Sequence, residues 1–344
     1  MSASQDKQEL VVSAPSNIAF VKYWGKKGQQ LPINPSVSMT LQACVTKTKF
    51  TYRFENDGPA LESYSFEGNE NPSFKARIEK YLGSVIEVCP ALKNLKFSIE
   101  SENTFPHSAG IASSASAFAA IGYALAYIDD TVSNDLNMRA SNLARLGSGS
   151  AARSIDGPYM AWGLSDAVEG SSDEHAVKLA DIHSEFENVC DSILLVSKDE
   201  KAVSSSQGHA LMQDHPFKQV RIDQARKNTK ELVKALKIGD WEHFGKVVEE
   251  EALTLHAMMM TSDPSFILLA PQSLEVIKRV RDYRAQSKLP LYFTIDAGPN
   301  IHLIYPEQHA EEIQNFINAE LADLCEGKSF INDKCGSGTR IINE

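Results

Sequence analysis

Apolar and polar positions along this chain follow two rhythms, and the change from one to the other divides it. Alternating or β-branched runs at 10–13, 46–54, 97–101 and 193–196 predict strands, and the stretch 75–88 between them predicts a helix. A second helical face carries Leu136, Ala140, Leu143 and Ala144 and stops at Gly147. Beyond Ser197 long amphipathic helices take over. The clearest sets Trp241, Phe244, Val247, Val248, Ala252 and Leu255 on one core-facing stripe behind Asp240 as a cap. A helix over 273–284 then leads through Pro290 into two strands, YFTID and IHLIY, joined by AGPN. A last helix over 308–324 precedes the tail KCGSGTRII, whose glycines predict a loop returning to another surface. Helix-on-sheet layering in both halves predicts an α+β protein of two domains, 1–195 and 196–344.

Composition narrows the partners. A 344-residue chain is long for one hydrophobic core, and 42% hydrophobic residues with a mean hydropathy of −0.26 fit a soluble protein. A formal net charge of −11 argues against nucleic acid or an anionic membrane surface as the main partner. Any anionic ligand must therefore meet a local cluster of basic groups. Cys44, Cys89, Cys190, Cys325 and Cys335 show no CxxC spacing, which fits reduced thiols and implies neither disulfides nor zinc. The start MSASQDKQEL lacks the apolar core of a signal peptide and no membrane-spanning run follows, so a cytoplasmic setting is expected.

Three small-residue loops carry candidate chemistry. FPHSAGIASSAS (105–116) runs straight into the alanine-rich AFAAIGYALAYI. Such a loop can turn backbone N–H groups and a helix dipole onto a phosphate, with Ser113 and Ser114 adding hydroxyls, or it can simply cap a buried helix. GSGSAAR (147–153) is either a flexible linker or an anion site in which Ser148, Ser150 and the fork of Arg153 hold a carboxylate or phosphate; its continuation into SIDGPYMAW favours the site. KAVSSSQG (201–208) has similar character. NIAFVKYWGKKGQQLPINPSVSMTL (17–41) places Lys22, Lys26 and Lys27 beside Tyr23 and Trp24, either a solvated edge or, as the following PINPSVS favours, an anion grip. Asp296 ends an apolar strand just before AGPN, where it can serve catalysis or cap the turn. The nine histidines, His107 and His256 included, show no paired metal spacing and are read as structural, and no metal ligand is assigned.

KYWGK, FPxxAGxASSA, GSGSAxR, VSSxQG and DAGPN, in this order from Ala14 to Gly338, together resemble the mevalonate diphosphate decarboxylase family of the GHMP kinase superfamily. The resemblance implies an N-terminal domain similar to ribosomal protein S5 domain 2, a ferredoxin-like C-terminal domain, a cleft between them and a homodimer. It implies ATP with Mg²⁺, a phosphorylated mevalonate as small-molecule substrate, phosphorylation of its tertiary 3-hydroxyl, and loss of phosphate and CO2 to give isopentenyl diphosphate.

Carried onto matching positions, the resemblance makes Asp296, Lys22 and Arg153 the catalytic set. Tyr23, Trp24, Gly25, Lys26, Ser148, Gly149, Ser150, Ala151, Ala152 and Ser206 then belong to the substrate side, and Gly110, Ala112, Ser113 and Ser114 cradle the nucleotide phosphates. One departure matters. Family members often carry an arginine for the terminal diphosphate where this chain has Asn71; Lys75 or Arg77 could compensate, and whether the substrate carries one phosphate or two stays open. The rivals are a phosphomevalonate decarboxylase, a mevalonate 3-kinase and a non-catalytic ligand sensor, the last two disfavoured by the complete set Asp296, Lys22 and Arg153.

Overall fold

The computed structural model describes residues 7–55, 60–106, 111–129, 135–199 and 205–342, without the side chains of 205–206. The first half builds a sheet from β1 (Gln8–Val21), the long β4 (Ser36–Phe54), β5 (Leu61–Phe66), β6 (Asn69–Glu70), β7 (Leu95–Asn103), β8 (Tyr159–Trp162) and β9 (Ala176–Lys178), with a small ribbon of β2 (Lys26–Lys27) and β3 (Leu31–Pro32) beside it. Strand β1 pairs antiparallel with β4 from Gln8↔Tyr52 to Val21↔Val37, with irregularities beside Pro15 and Val21 that bend the pair. Its helices are α1 (Pro72–Val85), α2 (Ser113–Ile128) and α3 (Leu136–Gly147). Because α2 is apolar nearly all round, it is buried between the sheet and α3. Gly122 permits this approach, since a Cβ there would lie 2.6 Å from the Ala144 nitrogen.

The second half orders β10 (Val189–Leu194), β11 (Tyr292–Ile295), β12 (Ile301–Pro306) and β13 (Phe330–Lys334) as β11-β12-β10-β13, all antiparallel. Its helices are α4 (Ser205–Leu211), α5 (Lys218–Ile238), α6 (Trp241–Met260), α7 (Pro271–Ser287) and α8 (Ala310–Phe316). One core is shared between the halves. Phe20, Val21 and Met39 of the first sheet are buried with Leu232 of α5, Phe244 and Val248 of α6, and Ile193 of β10. Burial of this kind, at about 25 cal/mol per Å² of apolar surface, resists separation of the halves. The tail returns to the first sheet as β14 (Arg340–Ile341), paired with β1.

Some local expectations shift. The helix expected over 75–88 runs Pro72–Val85, because Pro72 suits a first turn and the Asn71 side chain caps it by accepting from the Phe74 N–H. The strand expected at 193–196 is Val189–Leu194. The single helix expected over 308–324 breaks into α8, a π turn at Ile317–Leu321 and a 3₁₀ turn at Ala322–Leu324, which still bury Ile313, Ile317 and Leu321.

Candidate active site

Strand β1 delivers Lys22 as it leaves the shared core, and β11 delivers Asp296 from the opposite half. Their side chains meet at 2.7 Å, with Lys22 2% and Asp296 28% exposed. Burial lowers the Lys22 pKa and the adjacent Asp296 opposes that drop. The pair lies in a cavity of about 250 Å³ between the halves.

The backbone of Lys22 is clamped from the second half. Its N–H donates to Glu251 Oε2 at 2.9 Å, while its carbonyl accepts from Arg221 Nη2 at 3.2 Å and from Asn34 Nδ2 at 3.0 Å. Glu251 and Arg221 form a buried ion pair of 2.6 Å across α5 and α6, and Asn228 donates to the other Glu251 oxygen. Asp296 is held too: its carbonyl meets His256 Nε2 at 3.1 Å, and the turn after it is tied by Ser273 Oγ to the Pro299 carbonyl and by Ser197 N–H to Asn300.

The GSGSAAR segment is no linker. It ends α3 and forms a buried 3₁₀ turn at Gly149–Ser154. Arg153 is 2% exposed and donates to Ser38 Oγ at 3.1 Å and Ser36 Oγ at 2.7 Å. Burial lowers its pKa to about 10, against the opposing pull of Asp296, so it stays charged at neutral pH. Tyr23 packs so closely on this turn that a Cβ on Gly149 would lie 2.7 Å from the phenol oxygen, and that hydroxyl is buried without a hydrogen-bond partner among the described residues. Asn17 of β1 holds the turn from below through the Ser150 carbonyl and Ser154 Oγ.

On the third wall, α2 is preceded by Ala112, which is left-handed (φ 44°) and has no side-chain oxygen, so among the described residues its first turn receives no side-chain cap from the N-cap position. That observation favours an open anion-binding helix start over a capped one. Ser114 Oγ lies 3.4 Å from Ser148 Oγ, joining this start to the second small-residue loop. Among the described residues Lys26, Arg77 and Arg153 all line the cavity without an ion-pair partner. Burial, reinforced by Arg77, lowers the Lys26 pKa. A protein of net charge −11 thus places four basic side chains, Lys22, Lys26, Arg77 and Arg153, around one hollow.

Two family descriptions match consecutive parts of the chain. The diphosphomevalonate decarboxylase-like N-terminal domain matches residues 14–176, and the mevalonate 5-diphosphate decarboxylase C-terminal domain matches 192–341. Diphosphomevalonate decarboxylase of Schizosaccharomyces pombe is 31% identical over 326 residues, covering 90% of this chain and 82% of the relative. The chain belongs to the mevalonate diphosphate decarboxylase family. The solved mevalonate diphosphate decarboxylase of Staphylococcus aureus superposes with a TM-score of 0.85 at 31% identity, covering 98% of this chain and 99% of that one. A second solved structure, MDDEF in complex with MVAPP, AMPPCP and magnesium, gives 0.84 at 29% identity over 98% and 100%. The fold is accordingly the GHMP kinase-like α+β fold.

Within this family member, Lys22, Tyr23, Trp24, Lys26, Ala112, Ser114, Ser148, Gly149, Ser150, Arg153 and Asp296 line one cavity. Gly25 and Ser113 do not line it. Gly25 gives its N–H to His209 at 2.8 Å, and the Ser113 carbonyl accepts from Ser116. Ala151 and Ala152 do not line the cavity either and pack into apolar clusters. Gly110 and His107 lie outside the described residues; Ser206 falls on α4, its side chain likewise outside them. Sequence reasoning missed His209, Gln30, Ala297 and the Glu251–Arg221 clamp. His209 follows VSSSQG directly and was within reach. Glu251 sits in the run EEE, where nothing local singles out the member that reaches Lys22.

Asn71 is spent as the cap of α1, whereas Arg77 of the same helix reaches the cavity. Its guanidinium lies 4.8 Å from the centre of the Phe118 ring, and Nη2 points to the Gly147 carbonyl at 3.5 Å. Lys75 turns the other way, to the Glu62 carbonyl and Glu79.

Proposed function

We propose that the cavity performs the ATP-dependent decarboxylation of mevalonate 5-diphosphate, giving isopentenyl diphosphate, ADP, phosphate and CO2. The observation that carries this reading is the meeting of the Lys22–Asp296 pair with three cations that have no ion-pair partner among the described residues. Asp296 would accept the 3-hydroxyl proton as that oxygen attacks the γ-phosphate, and Lys22 would offset charge on the transferring group, chemistry that is mostly positioning and electrostatics. Arg153 would grip the substrate carboxylate while phosphate leaves the tertiary carbon. The C–C bonding pair then forms the alkene as CO2 departs, so the carboxylate must be held in line. Tyr23 and Ser148 would orient the substrate, and Arg77 would meet its terminal phosphate in place of the arginine missing at Asn71.

The α2 start, with its uncapped N–H groups and Ser113 and Ser114, suits the nucleotide phosphates. Mg²⁺ would arrive on the nucleotide and keep most of its waters, as this ion commonly does. When bound, the ion would neutralise charge on the polyphosphate. The described residues include no helix long and apolar enough to cross a membrane; the cytoplasmic setting rests on the sequence reading, and cell fractionation would test it. The homodimer rests on the family resemblance, and sedimentation would test it.

The experiment is turnover with ATP and Mg²⁺ on mevalonate, its 5-phosphate and its 5-diphosphate, following ADP and CO2 separately. Equal ADP and CO2 with the diphosphate alone is expected. Preference for the monophosphate would remove Arg77 from its role, ADP without CO2 would mean a kinase, and no ADP at all would point to a ligand sensor. Asp296→Asn is expected to lower kcat by at least about 10²- to 10⁴-fold with ATP affinity nearly unchanged; substantial remaining turnover would remove Asp296 as the base.

A further inference from the structure

His209 belongs to none of the roles assigned so far, yet it lines the cavity. Helix α4 lays its imidazole against both aromatics of the KYWGK segment, with ring centres 4.3 Å from Tyr23 and 4.9 Å from Trp24. This contact is built rather than incidental. A Cβ on Gly208 would come within 2.3 Å of the Trp24 ring. Gly25 holds φ at +93° and would drive a Cβ to 2.3 Å from Ile33, so the loop shape that turns its N–H toward His209 requires glycine.

The Gly25 N–H donates to His209 Nδ1 at 2.8 Å. A nitrogen that accepts cannot carry the proton, so in the neutral ring the hydrogen sits on Nε2. No residue among those described takes a hydrogen bond from Nε2, and the ring lines the cavity together with Lys26 and Arg153. Desolvation first, then the charges of Lys26 and Arg153, hold the pKa down to about 3, so the ring stays a neutral donor at working pH.

We propose that His209 positions the substrate by donating from Nε2 to an anionic phosphate oxygen bound beside Lys26 and Arg153. This rests on the functional reading above. It also gives α4 a purpose: the helix that follows the hydroxyl-rich loop brings a donor from the second half onto a ligand held mainly by the first.

Two variants separate this role from mere latching of Gly25. His209→Asn keeps an oxygen near Nδ1 for the Gly25 N–H and loses the distal donor; His209→Gln places an amide N–H near Nε2 and loses the proximal acceptor. KM for mevalonate 5-diphosphate is expected to rise about 10- to 100-fold in His209→Asn, with kcat, KM for ATP and Tm little changed, and His209→Gln is expected to recover most of it. Wild-type KM in His209→Asn, or His209→Gln as impaired as His209→Asn, overturns the proposal. Calorimetric affinity for inorganic diphosphate keeps the two readings apart. If the wild type does not turn over, the function fails, while weaker diphosphate binding by His209→Asn alone still supports the donor and equal binding overturns it.

Discussion

Arg153 and Arg221 are buried almost equally, 2% and 1% exposed, and both act on Lys22, yet they are satisfied in opposite ways. Arg221 meets a carboxylate inside the fold: Glu251 takes both of its terminal nitrogens, at 3.0 and 2.6 Å. Among the described residues Arg153 donates to hydroxyls, those of Ser36 and Ser38, and lies 5.8 Å from the centre of the Trp162 ring. A buried charge with no carboxylate in direct contact costs several kcal/mol, and the more distant Asp296 offsets only part of it, so a fold tolerates it where a ligand supplies the other charge. Burial alone marks neither residue as functional. The kind of partner distinguishes the arginine that builds the protein from the one that awaits a substrate.

The comparison breaks most sharply at Arg221. Glu251→Gln should cost about 3–5 kcal/mol of stability by stranding that guanidinium, seen as a lower denaturant midpoint. Replacing both partners, Arg221→Met with Glu251→Leu, should return most of the stability yet leave turnover low, because the Lys22 N–H has lost its acceptor. Full activity in that double variant would show that the clamp does not position Lys22. Arg153→Met should do the reverse, lowering kcat/KM about 10²- to 10³-fold while Tm holds or rises. A collapse of Tm with normal kcat/KM in the surviving fraction would make Arg153 structural after all. The smallest effect is expected at Gly149→Ala, where the new methyl must push the Tyr23 hydroxyl aside. Overpacking of about 1–3 kcal/mol should appear mainly as a raised KM for the phosphorylated mevalonate; an unchanged KM would mean that Tyr23 has room to move.

Legibility in the sequence followed chain distance. Residues 22–26 and 147–153 could be read because glycine, serine and basic residues adjacent in sequence stay adjacent in a turn. Asp296 could be read because a strand end and a proline-bearing turn are local patterns. The Asn71 departure was visible, but the side chain that reaches the cavity depends on the rotation of α1: Arg77 lies over Phe118, and Lys75 is carried to β5. The π turn at Ile317–Leu321 was hidden because its apolar positions satisfy an α-helical pattern as well.

Hydropathy rhythm and local loop chemistry determined, from the sequence alone, an α+β chain of two layered halves and the small-residue loops, and the family resemblance carried by those loops singled out Lys22, Arg153 and Asp296 as the residues to watch. Only the tertiary structure decided which loop cations share a cavity, that Ala112 leaves the α2 start uncapped, that Glu251 belongs to Arg221 and Lys22, and that His209 presents Nε2 rather than Nδ1. The physical reason is the range of the forces involved. Backbone propensity and turn chemistry act between near neighbours, whereas desolvation and charge pairing depend on what lies within a few ångströms in space, and for Lys22 and Asp296 that neighbour is 274 residues away in sequence.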